Sequence, residues 1–206
     1  MKNVLLPCLA ALALASCGTS ETTPGTTAAS SDTAAVSYTL DTVASHVNWA
    51  GTMLGVKTHT GTLAFDDGTL QMAGDQLVGG NFTVDMTSYA MTDTNYAADG
   101  AAQGTRANLM GHLMSPDFFA VETYPTASFK FVSVNGSTGT GELTVRGKTS
   151  TETVTNIVIS KNGTTITATG DLAFDRQKYG VSWAAPHKDM VLSNTIKLNI
   201  AIQAEA

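Results

Sequence analysis

The chain has 206 residues, 43% of them hydrophobic, and 11 Lys and Arg against 17 Asp and Glu give a formal net charge of -6. That length suits one domain with a substantial core, and the sparse, acidic charge excludes the basic footprint that nucleic-acid binding needs. Thr and Val are frequent, and both favour the pleated, half-buried surface of a strand, so the composition points to an all-β domain.

The N-terminus must be set apart from the fold. Met1-Lys2-Asn3 carries a positive charge, and the apolar run from Val4 to Ala15 follows. At roughly 12 residues that run is too short to span a bilayer and reads as the core of a signal peptide. Leu14-Ala15-Ser16-Cys17 then resembles the bacterial lipobox. The resemblance implies cleavage of residues 1–16 and acylation of Cys17; the alternative is an ordinary small-residue cleavage site with an incidental cysteine. Cys8 leaves with the signal peptide, so the mature domain has no thiol for a disulfide or for catalysis. Two or more acyl chains at Cys17 make a stable membrane anchor. Residues 17–36 are rich in Thr, Ser, Ala and Gly without an aromatic residue and read as a flexible tether. The implied location is a bacterial envelope membrane. Gly18 does not resemble an inner-membrane retention signal, so the outer membrane is favoured.

From residue 37 to 206 the pattern alternates with period two. Val47, Trp49, Gly51 and Met53 share a face; so do Leu63 and Phe65, and Phe82, Val84 and Met86. Asp66-Asp67-Gly68 reads as a turn, and Thr87 to Gln103 as a loop. Ala127, Phe129 and Phe131 then alternate with polar residues, as do Gly141, Leu143 and Val145. Ile157 and Ile159 follow, then Ile166 to Phe174 and Ile196 to Ala204. Asn135-Gly136-Ser137 and Lys161-Asn162-Gly163 mark hairpins. About eight one-faced antiparallel strands must bury those faces together in a barrel or sandwich. Gly51, Gly141, Gly170, Ala127 and Ala168 lie on the inward faces. Either they leave room for a ligand or they relieve crowding.

One segment departs from this pattern. Leu109, Met110, Leu113 and Met114 define one face of a helix over Thr105 to Ser115, capped by Thr105 and stopped by Pro116. It is expected to cross one end of the barrel as a lid.

Sites of chemistry are scarce. His46, His59, His112 and His187 form no metal-ligand spacing, and no nucleophile elbow, P-loop or dinucleotide fingerprint is present, so no metal or cofactor is expected. Trp183 and Arg176 allow two readings: a mouth aromatic beside a positive charge, or a core Trp with Arg176 hydrogen-bonded to a turn.

Four pieces in order resemble the YceI-like family. They are Tyr38-Thr-Leu-Asp41 with Ser45; Gly111-His-Leu-Met-Ser-Pro-Asp-Phe-Phe-Ala-Val-Glu-Thr-Tyr-Pro125 with Phe129; Gly141-Glu-Leu-Thr-Val-Arg-Gly-Lys-Thr149; and Arg176 to Gly180. The resemblance implies an extended, lipocalin-like eight-stranded antiparallel barrel that holds a long isoprenoid chain, such as a polyprenyl or isoprenoid-quinone tail, and that binds rather than catalyses. It also allows a homodimer. Two departures stand out. Leu109-Met110 replace the Arg-Asp that many members carry before the His-Leu pair, and Ala120 replaces the usual Asp after Phe-Phe.

The expected tunnel is lined by Trp49, Phe65, Val84, Met86, Phe129, Phe131, Leu143, Val145, Ile157, Phe174 and Leu198. Leu113, Phe118, Phe119 and Trp183 would close it, and Met110 and Met114 would add adaptable surface. His112, Asp117 and Arg176 would form a polar mouth. Two other readings compete with lipid carriage: an enzyme that uses those three residues on a bound lipid, and a filled-barrel interaction module.

Overall fold

The computed structural model describes residues 34–185 and 190–206. The signal peptide, Cys17, most of the tether and His187 lie outside the described residues.

The strands are β1 (Val36–Leu40), β2 (His46–Leu54), β3 (Lys57–Ala73), β4 (Gln76–Met91), β5 (Thr126–Asn135), β6 (Thr138–Val145), β7 (Lys148–Asn162), β8 (Thr165–Asp175) and β9 (Val191–Glu205). Helix α1 (Arg106–Met114) lies between β4 and β5. Strand order is β1-β3-β2-β9-β8-β7-β6-β5-β4, and β3 pairs with β4 to close the ring. β2 covers β3 from Lys57 to Ala64, while β1 covers Thr69 to Met72 of the same strand. β1 and β2 therefore share one position, and nine segments make the expected eight-stranded antiparallel barrel. Closure removes the unpaired edges that an open sheet would expose.

The break between β1 and β2 has a local cause. The Asp41 carboxylate accepts the backbone N–H groups of Val43 and Ala44 at 2.9 and 3.0 Å. The Ser45 hydroxyl accepts from Gln203 N–H at 2.9 Å and donates to Gln203 C=O at 3.2 Å. Asp41 and Ser45 thus replace the ladder bonds that the interruption removes.

Two sequence expectations are corrected. Asp66-Asp67-Gly68 is not a turn, because β3 runs straight through it to Ala73 and the real turn is Gly74-Asp75. Phe65 pairs with Val84 and Asp67 with Thr83, so Asp66 is the extra residue of a bulge. The bulge shifts the alternation by one: buried positions run 61, 63, 65 before it and 68, 70, 72 after it, which leaves both carboxylates outside. Thr87 to Met91 are likewise not loop. β4 continues to Met91 through a larger bulge, where Ala64 pairs with Asp85 and Thr62 with Ala90. The Ser88 hydroxyl accepts the N–H of Ala64 there at 2.8 Å.

Helix α1 and the two hairpins follow the sequence reading. Thr105 caps α1 through a reciprocal box with Asn108, and Ser115 closes it. Gly136 and Gly163, at φ +58° and +62°, supply the left-handed residues that the two hairpin turns need.

Antiparallel closure sends the chain ends of the elements to two rims. One rim holds β1 and the turns at Gly74, Gly136 and Gly163. Beneath it Tyr38, Leu40, Met72, Ile166 and Ala204 are all buried. The other rim holds α1, residues 115–125, a 3-10 turn at Arg176–Tyr179 and the β2–β3 hairpin.

Candidate ligand-binding cavity

Between the rims the inward side chains leave a cavity of about 540 Å³. By the scale of benzene filling ~150 Å³, it has room for roughly 20 carbon-sized atoms. Its wall is almost wholly aliphatic and aromatic. Every residue expected to line the tunnel reaches it: Trp49, Phe65, Val84, Met86, Phe129, Phe131, Leu143, Val145, Ile157, Phe174 and Leu198 from the strands, with Leu113, Phe118, Phe119 and Trp183 from the lid; Ile159, Ile166 and Ala204 of the same alternation do not.

The small inward residues divide between the two explanations. A Cβ on Gly141 would lie 2.4 Å from the Phe129 ring, and one on Gly170 would lie 2.8 Å from Val154. Those glycines relieve crowding. A Cβ on Gly51 meets only Ile196, at 3.8 Å, so Gly51 leaves room.

The lid is an aromatic cluster. Phe118 packs edge-on to Phe119 at 5.0 Å, and His112 sits edge-on to Phe118 at 5.4 Å and to Trp183 at 4.6 Å. Phe119 stacks on Tyr89, which meets Trp49 edge-on at 5.8 Å. These contacts join the lid to the strands. Arg146 ties the two lid segments together, donating to Gly180 O and to Pro116 O at 2.7 Å. The helix turns Leu109, His112 and Leu113 to the cavity. Met110 and Met114 pack against the core but do not line the cavity, because they sit on an adjacent face of the helix.

The expected polar mouth is dispersed. His112 lines the cavity, and its Nε2 is sealed without a partner. Burial holds its pKa below the ordinary value, against a weaker opposing pull from the Asp117 charge, so the ring is neutral at pH 7. Asp117 is exposed and does not line the cavity. Arg176 is also absent from the lining. It is 2% exposed and donates to Val181 O at 2.6 Å, Ser193 O at 3.1 Å and Asn194 Oδ1 at 3.3 Å. Its guanidinium lies 5.9 Å from the Phe118 ring centroid. Each reading of the Trp183–Arg176 pair is therefore half right: Trp183 is a cavity aromatic and Arg176 a structural clamp.

The structure adds polar residues that the sequence did not single out. Glu152, buried on β7, accepts from Tyr179 Oη at 3.0 Å and Lys178 Nζ at 3.1 Å and holds the 3-10 turn to the barrel. At the open rim His59, Tyr96, Lys57, Gln103 and Asn108 line the cavity, with Asp93 behind them. Among the described residues no three His, Cys, Asp or Glu side chains converge to hold a metal.

A closed antiparallel barrel around an apolar cavity, with a helical lid, is a lipocalin-like fold. Residues 38–204 match the YceI-like domain, and the chain belongs to that family. Among solved structures it is similar to Burkholderia cenocepacia BcnA, with a TM-score of 0.62, 21% identity, and 80% of this chain and 99% of that one covered. It is also similar to a polyisoprenoid binding domain from Saccharophagus degradans implicated in plant cell wall breakdown. That pair has a TM-score of 0.51 and 15% identity and covers 82% of this chain and 98% of the other. At these identities the likeness shows the fold. No curated protein matches the sequence significantly.

Proposed function

We propose that the protein binds a long-chain isoprenoid lipid, tail inward, and carries or stores it at the bacterial envelope while tethered through an acylated Cys17. The observation that carries this reading is the 540 Å³ cavity with its nearly uniform apolar wall. Each buried CH2 of a tail stabilises the complex by about 0.8 kcal/mol, so the chain needs few polar contacts to bind. About 20 carbons, four isoprene units, match the volume; a longer chain would extend through the open rim. A filled-barrel module is disfavoured by the same volume. Catalysis is disfavoured by the dispersal of His112, Asp117 and Arg176, which share no reacting point.

The rim suits uptake from a membrane. Leu54 of β2 pairs with Val191 of β9 beside the β2–β3 hairpin, and both are about half exposed, as is Val56. Their neighbours Met53 and Leu192 line the cavity. An apolar path thus runs from the surface inward. The test is organic extraction of acylated protein purified from membranes, followed by mass spectrometry. An isoprenoid near one per chain is expected. An extract with no lipid beyond the acyl anchor would contradict the reading.

A further inference from the structure

The apolar wall is interrupted at the open rim by one built polar network. Asp93, just past β4, accepts His59 Nδ1–H at 2.9 Å on Oδ2. On Oδ1 it accepts the Tyr96 hydroxyl at 2.6 Å and Thr60 N–H at 3.2 Å. Burial alone would raise the Asp93 pKa, but the Tyr96, His59 and Thr60 donors hold it down to about 2, so the carboxylate stays ionised across the working range. The His59 ring stacks on Tyr96 at 4.9 Å with 19° between planes. The Arg106 guanidinium, bound to the carbonyls of Met91 and Asp93, lies 5.2 Å from the Tyr96 ring centroid.

The His59 ring is therefore fixed in position and in tautomer. The carboxylate keeps the proton on Nδ1, which leaves the Nε2 lone pair as an acceptor in the neutral ring. Nε2 makes no hydrogen bond to any described residue, and His59 lines the cavity. Gln103 and Asn108 line the same cavity. The Asn108 carbonyl is occupied by the N–H and hydroxyl of Thr105, so its remaining groups are N–H donors. An acceptor nitrogen and amide donors in the lining of one cavity match a ligand oxygen that both gives and takes a hydrogen bond.

We infer that this wall is the headgroup subsite, and that it takes an alcoholic or phenolic hydroxyl whose O–H is donated to His59 Nε2. The inference rests on the cavity holding a long-chain lipid. A carbonyl or ether oxygen has no proton to give Nε2 and forfeits that bond.

The probes are geranylgeraniol and its methyl ether, titrated into the delipidated full-length protein. The alcohol is expected to bind about tenfold tighter, the size of one net hydrogen bond. His59→Phe keeps the ring stack on Tyr96 and removes the nitrogen. It should bring the preference to about one while leaving ether affinity within about twofold. Asp93→Asn, checked for folding by circular dichroism, should also reduce the preference, because Asn does not hold the tautomer. Equal binding of both probes by the native protein, or a preference that survives His59→Phe, overturns the subsite while leaving the lipid reading intact. Failure of both probes to bind overturns the lipid reading and the subsite with it.

Discussion

The two ends of the barrel grow from the same alternating strands and finish in opposite ways. At the closed end Tyr38, Leu40, Met72, Ile166 and Ala204 are buried, and none of them lines the cavity. At the open end the strands stop under a lid of Phe118, Phe119, His112 and Trp183, and the wall beside the lid carries His59 and Lys57. The strand pattern does not differ between them; what covers the ends does. Inward side chains of β1 and its neighbours close one rim, whereas helix α1 and two anchored loops roof the other. The closed end therefore supplies stability and the open end supplies the site.

That division can be broken most severely at the closed end. Ile166→Ala should cost about 4 kcal/mol in urea unfolding, since a fully buried side chain leaves a cavity behind. Prenyl binding by the protein that stays folded should not change. A loss of binding without a loss of stability would reverse the assignment of the two ends.

Arg176→Met comes next, at about 3 kcal/mol. It strips the donors from Val181 O and Ser193 O inside the lid support. Melting should drop, and the residual folded protein should still bind a prenyl chain. A variant that melts like the native protein would show that the clamp is dispensable.

The lid should also respond to pH. Burial lowers the His112 pKa in the folded state, so below the unfolded value of about 6.5 the unfolded chain binds more protons. Stability is then complete above about 6.5 and falls as pH drops through that window. Asp93, held near 2, loses its own contribution only in strong acid, between about 4 and 2. Melting curves of His112→Leu should therefore flatten between about pH 7 and 5 relative to the native protein. Parallel curves in that window would place the pH response elsewhere.

The smallest effect is a gain. Ala120 holds φ +49°, where a side chain is strained, so Ala120→Gly should stabilise by about 0.5 kcal/mol. The same position is Asp in the family pattern, and Asp tolerates this conformation better than Ala.

Most of the barrel was legible because one-faced strands announce their inward residues. The runs in β8 and β9 and the Asn-Gly turns did so without ambiguity. The failures came where the period itself was broken. Asp66-Asp67 looked like a turn because a bulge reverses the phase there, and a reversed phase is indistinguishable from an ended strand in sequence. Tyr89 and Met91 were hidden by a larger bulge at Ser88. Glu152 sits in the inward phase with Val154, and that phase is its signal in the sequence. His59, Asp93 and Tyr96 gave no signal, because 34 residues separate His59 from Asp93 and they meet only at the far end of the long β3–β4 hairpin, whose register two unforeseen bulges shift.

The central claim is that the open half encloses a lipid tail, and Gly51 tests it most directly. Gly51 faces the cavity with open space beside it. The measurement is equilibrium binding of a fluorescent twenty-carbon prenyl probe to the delipidated protein and to Gly51→Trp. The native protein should saturate at one probe per chain, and the variant should fold with a similar melting temperature while losing at least about tenfold in affinity, as a filled cavity excludes the tail. Unchanged binding to Gly51→Trp, or no saturable binding to the native protein, would contradict it.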